Sequence, residues 1–394
     1  MTEERALSMH LVRTAGPLLA LLVYAGLAAM PAAAQTYTFT DLGTLGSDSY
    51  GLGVNASGQV VGNHNSGNNP SRAFLSGPNG GVLTDLNTLG GTSSTGYGVN
   101  ATGQVTGASY LSGNKIYDAF LSGPNGGAVK DLGTLGGTLS YGSGVNDSGQ
   151  VVGDFYLTPV NGSNYYHAFL SGANGGALKD LSTLGGHYSH GNGVNATGQV
   201  TGDSYLTNDT YDHAFLSGPN GGLLKDLNTL GGTSSQGNAV NATGQVTGNS
   251  YLANDTFDHA FLSGPNGVGL TDLGTLGGSN SYGYGVNSAG QVVGAADTAG
   301  DIAQDAFLYS GGVMTDLNSL IDPASGFTLT EAYSISDTGY ITGSATNNIS
   351  SETHAFLLTL NPVPEVSSVV SLGLLLSLGI VGMAITKRRK ACNA

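Results

Sequence analysis

The sequence predicts an all-β fold: a seven-bladed β-propeller of four-stranded repeats of about 46 residues, closed by its N-terminal strand. Three observations carry this. A motif VN-x-[ST]-G-Q-V recurs with its Asn at Asn55, Asn100, Asn146, Asn195, Asn241 and, with Ala289 at the Ser/Thr position, Asn287, and with Ser336 in the seventh copy, at steps of 45 to 49 residues. That period suits propeller blades, and no stretch of the unit carries a helix-length apolar pattern. Gly makes up 66 of 394 residues, about 17% against a usual ~7%. Finally, the last copy ends without its own Asp-Leu strand, while an orphan Asp-Leu strand precedes the first copy. The piece missing at one end is the piece left over at the other, and closure removes the edges that an open array exposes. The alternative is an open β-solenoid, which also uses Gly-rich repeats.

Residues 1–34 read as a secretory signal. Arg5 and Arg13 give a positive start, Ala15 to Ala29 are almost wholly apolar, and Ala32-Ala33-Ala34 before Gln35 forms an A-x-A cleavage site.

Residues 35–361 form the repeat body. Strand a ends at Val-Asn, as in Tyr141 to Asn146. Strand b is GQVVGD-like, strand c is HAFLS-like, and strand d is LKDLNTL-like. N-A-[ST]-G between a and b, and S-G-P-N-G-G between c and d, are tight-turn sequences. The orphan d strand is Tyr37 to Leu45. An Ala-Phe pair marks every strand c, with Phe74, Phe120, Phe169, Phe215, Phe261, Phe307 and Phe356. Positions repeated in every copy are most simply packing and turn residues. The Asn of VN and the Asp of DL are expected to bond local backbone.

Residues 362–394 form the tail. Val363-Pro364-Glu365 precede Val366 to Thr386, 21 residues without a charge, followed at once by Lys387-Arg388-Arg389-Lys390. As a helix the run spans about 31 Å, enough for a bilayer. The basic cluster would stay cytoplasmic, which places the body outside the inner membrane.

Composition limits the partners. The net charge is −15, and the body between the two ends has five basic residues, Arg72, Lys115, Lys130, Lys179 and Lys225, none clustered. Nucleic acid and anionic lipid need a basic surface and are excluded as main partners. Cys392 is the single cysteine, so a disulfide framework and multi-cysteine metal sites are excluded.

The triplet, apolar run and basic cluster resemble the PEP-type C-terminal sorting signal of Gram-negative bacteria, with Val366 where a second Pro usually stands. The resemblance implies export, a passing contact with the inner membrane, and exosortase as a processing partner, with delivery to the cell surface or beyond. The repeat resembles the HAF-repeat family of secreted bacterial proteins over about residues 36 to 360. Its His-Ala-Phe motif is intact at His167, His213, His259 and His354 and replaced at Arg72, Asp118 and Asp305. The family implies secretion and repetition, and no reaction. Four equivalent His around a ring do not suit one active site, so these residues are not expected to be catalytic.

Copy-to-copy variation points to a binding face. The a–b turn never changes length, while the b–c and d–a loops do. In an up-and-down blade those variable loops share a face, where binding usually sits. If strand a is innermost, the positions five and three before each repeat Asn ring the channel mouth. From these and the adjoining loop we take Tyr50, Tyr97, Tyr141, His187, Tyr188, His190, Tyr282, Tyr284 and Glu331 as candidate binding residues. Tyr pairs an apolar face with a hydroxyl, which suits sugars and proteins alike. The b–c loops carry Asp209, Asp212, Asp255 and Asp258, hard oxygen donors that would suit calcium, although no loop matches an EF-hand. No other cofactor is expected.

The sequence therefore suggests a secreted or surface-sorted protein without enzymatic activity. It would bind exopolysaccharide or another surface protein of an extracellular biofilm matrix. The alternatives are a propeller-type carbohydrate-active enzyme, with Glu331 and His187 or His190 as the only asymmetric acid–base candidates, or a purely structural matrix component.

Overall fold

The computed structural model describes residues 35–66, 69–159 and 164–362. The chain divides into a compact unit Tyr37–Leu360 and a second unit of the two ends, Met1–Thr36 with Asn361–Ala394. In the latter, Asn361 N donates to Thr36 O at 3.0 Å. The signal segment, the apolar run Val366 to Thr386 and the basic cluster lie outside the described residues. No helix among the described residues is long and apolar enough to cross a membrane.

The body is all-β, with antiparallel strands in the order the repeats dictate. In copy 4, strand a is Gly185–Val194, b is Val200–Leu206, c is Asp212–Ser217 and d is Leu224–Asp226. Each pairs with the next. The same a-b-c-d order fills four-stranded sheets in copies 1, 2, 5 and 6. Copies 3 and 4 form one eight-stranded sheet, joined by a single parallel pair, Tyr166 with Tyr188. In copy 7, a is Phe327–Ile335, b is Ile341–Asn347 and c is Thr353–Leu360, and the fourth place is taken by Tyr37–Asp41. That strand pairs antiparallel with strand c, Tyr37 opposite Leu360 and Asp41 opposite Phe356.

Two features of the repeat explain its glycines. Strand a bulges before its end, and the Gly of strand b faces the bulge. A Cβ on Gly62 would lie 1.8 Å from Tyr50 O, so no other residue fits. The a–b turn needs a left-handed residue, supplied in copy 1 by Gly58 at φ +70°.

The core lies between successive copies. Every Phe of an Ala-Phe pair is fully buried. Phe120 of copy 2 packs with Val61, Ala73, Leu75 and Leu86 of copy 1. Phe215 packs in the same way against copy 3. The seam between copies 7 and 1 is built alike, with Phe74 and Val60 against Ala355 and Leu357.

Three sets of polar bonds lock the copies in register. In copies 1 to 6 the Asn of VN turns the chain and reaches sideways. Asn146 Oδ1 accepts from Ser148 N and Gln150 N, and Asn146 Nδ2 donates to Asn195 O at 2.9 Å. The relay runs from Asn55 through Asn100, Asn146, Asn195 and Asn241 to Asn287, whose Nδ2 meets Ser336 O at 3.4 Å. These Asn are buried and form the cores of the a–b turns. In copies 1 to 6 a Ser of strand a clamps the preceding copy, as where Ala168 N donates to Ser189 Oγ at 2.9 Å; Ala355 N donates to Ser49 Oγ at 2.8 Å across the closing seam. Lys130, Lys179 and Lys225 reach the c–d turn of the next copy; Lys179 Nζ donates to Asn220 O at 3.2 Å and Gly221 O at 2.7 Å.

Strand d is shorter than expected, ending at its Asp in most copies. The Asp carboxylate turns the chain there: Asp180 Oδ1 accepts from Ser182 N at 2.7 Å. The same carboxylate holds the His of HAF, with His167 Nδ1 3.0 Å from Asp180 Oδ2. His213–Asp226, His259–Asp272 and His354–Asp41 repeat the pair. The HAF His is thus a clip between strands c and d. In copy 1, where Arg72 replaces it, His64 of strand b takes over, its Nε2 2.7 Å from Asp85 Oδ1.

Candidate functional site: a tyrosine track and its cleft

Strand a is innermost. Residues of the a strands from all seven copies, among them Leu52, Tyr97, Gly144, Asn192, Asn238, Tyr284 and Tyr333, line an axial cavity of about 220 Å³. The turns sort onto two faces. Asn79 N of a c–d turn donates to Ser57 O of the a–b turn, so these fixed turns lie together. The b–c and d–a loops meet at the other end, where His187 N donates to Asp209 Oδ1 at 2.7 Å and Thr233 N to Asp255 Oδ1 at 2.7 Å.

The residues three before the repeat Asn, or before Ser336, line the axial cavity in six copies, and the aromatic contacts beyond it are uneven. A continuous run of aromatic contacts crosses copies 2 to 4. Tyr110 and Tyr117 stack with centroids 3.6 Å apart, and Tyr117 meets Tyr141 at 6.0 Å. Tyr141 meets Tyr156 at 6.3 Å, Tyr156 meets Tyr166 at 5.4 Å, and Tyr166 meets Tyr188 at 4.9 Å. Tyr188 then meets Tyr205 at 5.3 Å. Each of these rings is half-buried, with one part packed and another open.

Tyr205 is also a wall of a cleft of about 510 Å³ formed by copies 4, 5 and 6. Its other walls include Asp212, Gln236, Tyr251, Asp258 and Tyr282. Tyr282 and Tyr284 stand nearly parallel, 8° apart with centroids at 6.4 Å, and Tyr284 continues to Tyr333 at 5.3 Å.

The acids beside this cleft are strongly perturbed. Asp203, 6% exposed, is pushed up to about 7 by burial and by the charges of Asp212 and Asp154, against the pull of His190 and a hydrogen bond from Asn192. Burial would lower His190, but its contact with Asp154, 3.4 Å away, and the charges of Asp203 and Asp212 outweigh that and raise it. Asp258 is raised by burial; its Oδ2 accepts from Asn249 Nδ2 at 2.8 Å, and its Oδ1 is buried with no partner.

Among the expected residues, Tyr141, Tyr188 and His190 belong to the track, and Tyr282 and Tyr284 to the cleft. His187 stacks on Tyr165 with centroids 4.7 Å apart and holds Asp209 Oδ2 at 2.5 Å. Tyr97 opens on the axial cavity. Tyr50 stands opposite Asn63 and joins no ring contact among the described residues. Glu331 accepts from Tyr333 Oη, and no contact joins it to His187 or His190, so the acid–base set suggested for an enzyme is not assembled. Tyr110, Tyr117, Tyr156, Tyr166, Tyr205 and Tyr251 lie on strands b and c or their ends, outside the positions that sequence variation singled out. Their signal was an aromatic at matching ends of strands b and c.

The four Asp considered for calcium do separate work. Asp209 and Asp255 cap d–a backbone, while Asp212 and Asp258 face the cleft. Among the described residues no group of three or more His, Cys, Asp or Glu is arranged to hold a metal. Val363, Pro364, Glu365 and Lys387 to Lys390 lie outside the described residues.

No family model and no curated protein matches the chain. Solved structures share the fold. A mutant of puromycin hydrolase complexed with PGG matches with a TM-score of 0.50 and 12% identity, covering 77% of this chain and 51% of that one. TolB from Acinetobacter baumannii matches with a TM-score of 0.43 and 12% identity, over 78% of this chain and 65% of that one. Dipeptidyl peptidase 4 of Porphyromonas gingivalis matches at 0.41 and 12%, over 77% and 51%. The chain thus spans from about half to two thirds of the length of these proteins. The fold is β-propeller-like. The expectation that the chain is not an enzyme is corrected by the same finding. The puromycin hydrolase mutant has this fold, so repetition and fold give no ground for excluding catalysis.

Proposed function

We propose that the body is a seven-bladed ring that binds an extended polysaccharide of the extracellular matrix along the tyrosine track and into the cleft between copies 4, 5 and 6. The single bridge between Tyr166 and Tyr188 supports counting copies 3 and 4 as two blades, and the pairing of Tyr37–Asp41 with Thr353–Leu360 supports closure by the N-terminal strand. The observation that carries the binding reading is the unbroken run of rings from Tyr110 to Tyr205, which leads to a cleft walled by further Tyr, Asp and Gln. Half-open aromatic faces beside polar groups fit sugar rings, which are apolar on their faces and hydroxylated at their edges. A second surface protein is the competing partner for the same face.

In this reading residues 1–34 direct export and residues 362–394 form a PEP-type sorting signal read by exosortase, with surface delivery as the result. Deleting Lys387 to Lys390 changes membrane sorting and leaves the fold intact; unaltered delivery of that variant sinks the sorting reading. For binding, residues 35–361 are titrated with the host's own exopolysaccharide, with calcium and with chelator. Saturable binding that Tyr166→Ala weakens supports the track. Absence of binding in both buffers favours a protein partner, and loss with chelator alone favours calcium at the b–c loops.

A further inference from the structure

We propose that the cavity between copies 1 and 2, at the head of the tyrosine track, binds the carboxylate of a uronic acid, with the Arg72 guanidinium as its anchor. The inference rests on the glycan reading above and names the class of sugar: an acidic polysaccharide whose uronate seats on Arg72 while the neutral sugars beside it run over the rings.

Arg72 carries the argument. It is half-buried, lines a cavity of about 550 Å³, and makes no hydrogen bond or ion pair among the described residues. Its place in strand c is that of the HAF His, whose work is to hold the Asp of strand d. In copy 1 that work is done by His64, directly opposite Arg72 in strand b, with Nε2 2.7 Å from Asp85 Oδ1. No other copy has a His at this point of strand b, where Ser109, Phe155, Ser204, Ser250, Ala296 and Ala345 stand. Copies 2 and 6 also lose the HAF His, to Asp118 and Asp305, and gain no substitute. Copy 1 alone keeps the clip by a second residue and leaves a guanidinium free. A half-buried guanidinium favours a planar anion that accepts two parallel N–H bonds, as a carboxylate does.

The rest of the cavity suits a sugar. Leu45 and Pro70 give apolar walls, Thr92 brings a hydroxyl, and the volume admits about one or two sugar rings. Gly91, another wall, lies against Tyr110, the first ring of the track; a Cβ there would stand 2.5 Å from Tyr110 Cβ. Charge points the same way. Lys130, Lys179 and Lys225 are engaged with carbonyls of the c–d turns. The other two basic residues of the body both lie at this end. Lys115 is exposed and follows Asn114, whose Oδ1 accepts from Thr92 N at 2.9 Å. Asp85, the acid of the cavity, is held by His64. At the far end of the track the cleft presents Asp212 and Asp258, and among the described residues no Lys or Arg lines it. An acidic sugar is drawn to copies 1 and 2 and repelled from copies 4 to 6, which sets the register of the glycan on the track.

The test is calorimetric titration of residues 35–361 with oligosaccharides of alternating glucuronic acid and N-acetylglucosamine, the same oligomers with their carboxylates reduced to alcohols, and triglutamate as a probe of bare charge attraction. The expected result is binding of the acidic oligomer at least about tenfold tighter than the reduced one, a preference that salt weakens. Arg72→Gln is expected to remove that preference and, because His64 keeps the clip, to melt as the parent does. If Arg72→Gln does not fold, Lys115→Gln replaces it and is expected to weaken the acidic oligomer about threefold and leave the reduced one unchanged; no loss, or equal loss for both, overturns the proposal. Equal or tighter binding of the reduced oligomer overturns the uronate proposal and leaves the glycan reading standing. Binding of neither oligomer overturns both. Triglutamate binding as tightly as the acidic oligomer, or a preference that persists in Arg72→Gln, shows attraction to charge alone or to another site and overturns the proposal.

Discussion

His354 Nδ1 lies 2.8 Å from Asp41 Oδ1, although 313 positions separate the two residues in the chain. Elsewhere the same clip joins strands 13 positions apart, as between His213 and Asp226. The repeat's local bond becomes, at this one place, the longest-range bond of its kind, and it fastens the first strand of the body to the last.

That strand is expected to dominate stability. Deleting residues 35–41 leaves one edge of Thr353–Leu360 without its partner strand and removes Tyr37, which is 3% exposed. Burial of Tyr37 alone is worth about 1.5–3 kcal/mol, and the ladder adds to it. Urea unfolding should show a loss of several kcal/mol. His354→Ala removes only the clip and should cost about 1 kcal/mol. Unchanged unfolding after the deletion would count against closure.

The Asn relay gives two opposite predictions. Asn146→Ala leaves buried backbone groups of its own turn and of Asn195 without partners, and should cost about 2–3 kcal/mol. Ser336 interrupts the relay, because its hydroxyl accepts from Tyr340 N but carries no amide to reach Asn55. Ser336→Asn should complete the circuit and raise stability by about 1 kcal/mol, read as a shift of about 2 °C in melting.

Stability should fall as pH rises from about 4 to 8. Asp118, raised to about 6 by burial and by Asp131 beside it, and Asp203, raised to about 7 chiefly by burial, both hold protons in the folded state that the unfolded chain has already released. A carboxyl with a raised folded value stabilises only while protonated, so the contribution shrinks above the unfolded value near 3.8 and is gone above about 7. His190, raised overall, adds a term of the same sign, present below its unfolded value and lost as pH climbs through its folded one. Below pH 4 the trend reverses, since Asp180, lowered by its hydrogen bonds from His167 and Ser182 against the opposing effect of burial, loses its stabilising charge. Asp203→Asn should flatten the fall above pH 4 by about 2 kcal/mol between pH 5 and 8, measured by urea unfolding at both.

The lysine staples should matter more than ordinary surface lysines. Lys179→Met removes two hydrogen bonds to Asn220 O and Gly221 O and should cost about 1 kcal/mol. Lys115→Met, at an exposed loop, should cost nothing measurable in the same melting assay.

Much of the frame was legible in the sequence because each repeat fixes its own turns. Glycine at the a–b turn, Asn at its start and the Ala-Phe of strand c place four strands per copy without reference to anything distant. The misplaced Asp-Leu strand also identified the partner of strand Thr353–Leu360. What escaped was whatever depends on the neighbouring copy. The clamp of Ser189 on Ala168 and the reach of Lys179 into the next turn involve positions that look like plain surface polars in one dimension. His64 substituting for the missing HAF His was hidden because it comes from another strand of the same sheet. The candidate site was half visible. Variation between copies found Tyr141, Tyr188 and Tyr282 on the a strands, but Tyr156, Tyr166 and Tyr205 meet them only once sheets are set side by side. The exclusion of catalysis failed for a different reason. It was argued from equivalence among copies, whereas the shared architecture also serves enzymes.

The pairing of Tyr37–Asp41 with Thr353–Leu360 also sets the order of events in biosynthesis. The first strand of the body to leave the ribosome has no mate until the final repeat has followed it. Each intervening copy can assemble on its predecessor while that strand waits. Growth of the body and its fastening are thereby separated in time, with the last strand, Thr353–Leu360, completing the join.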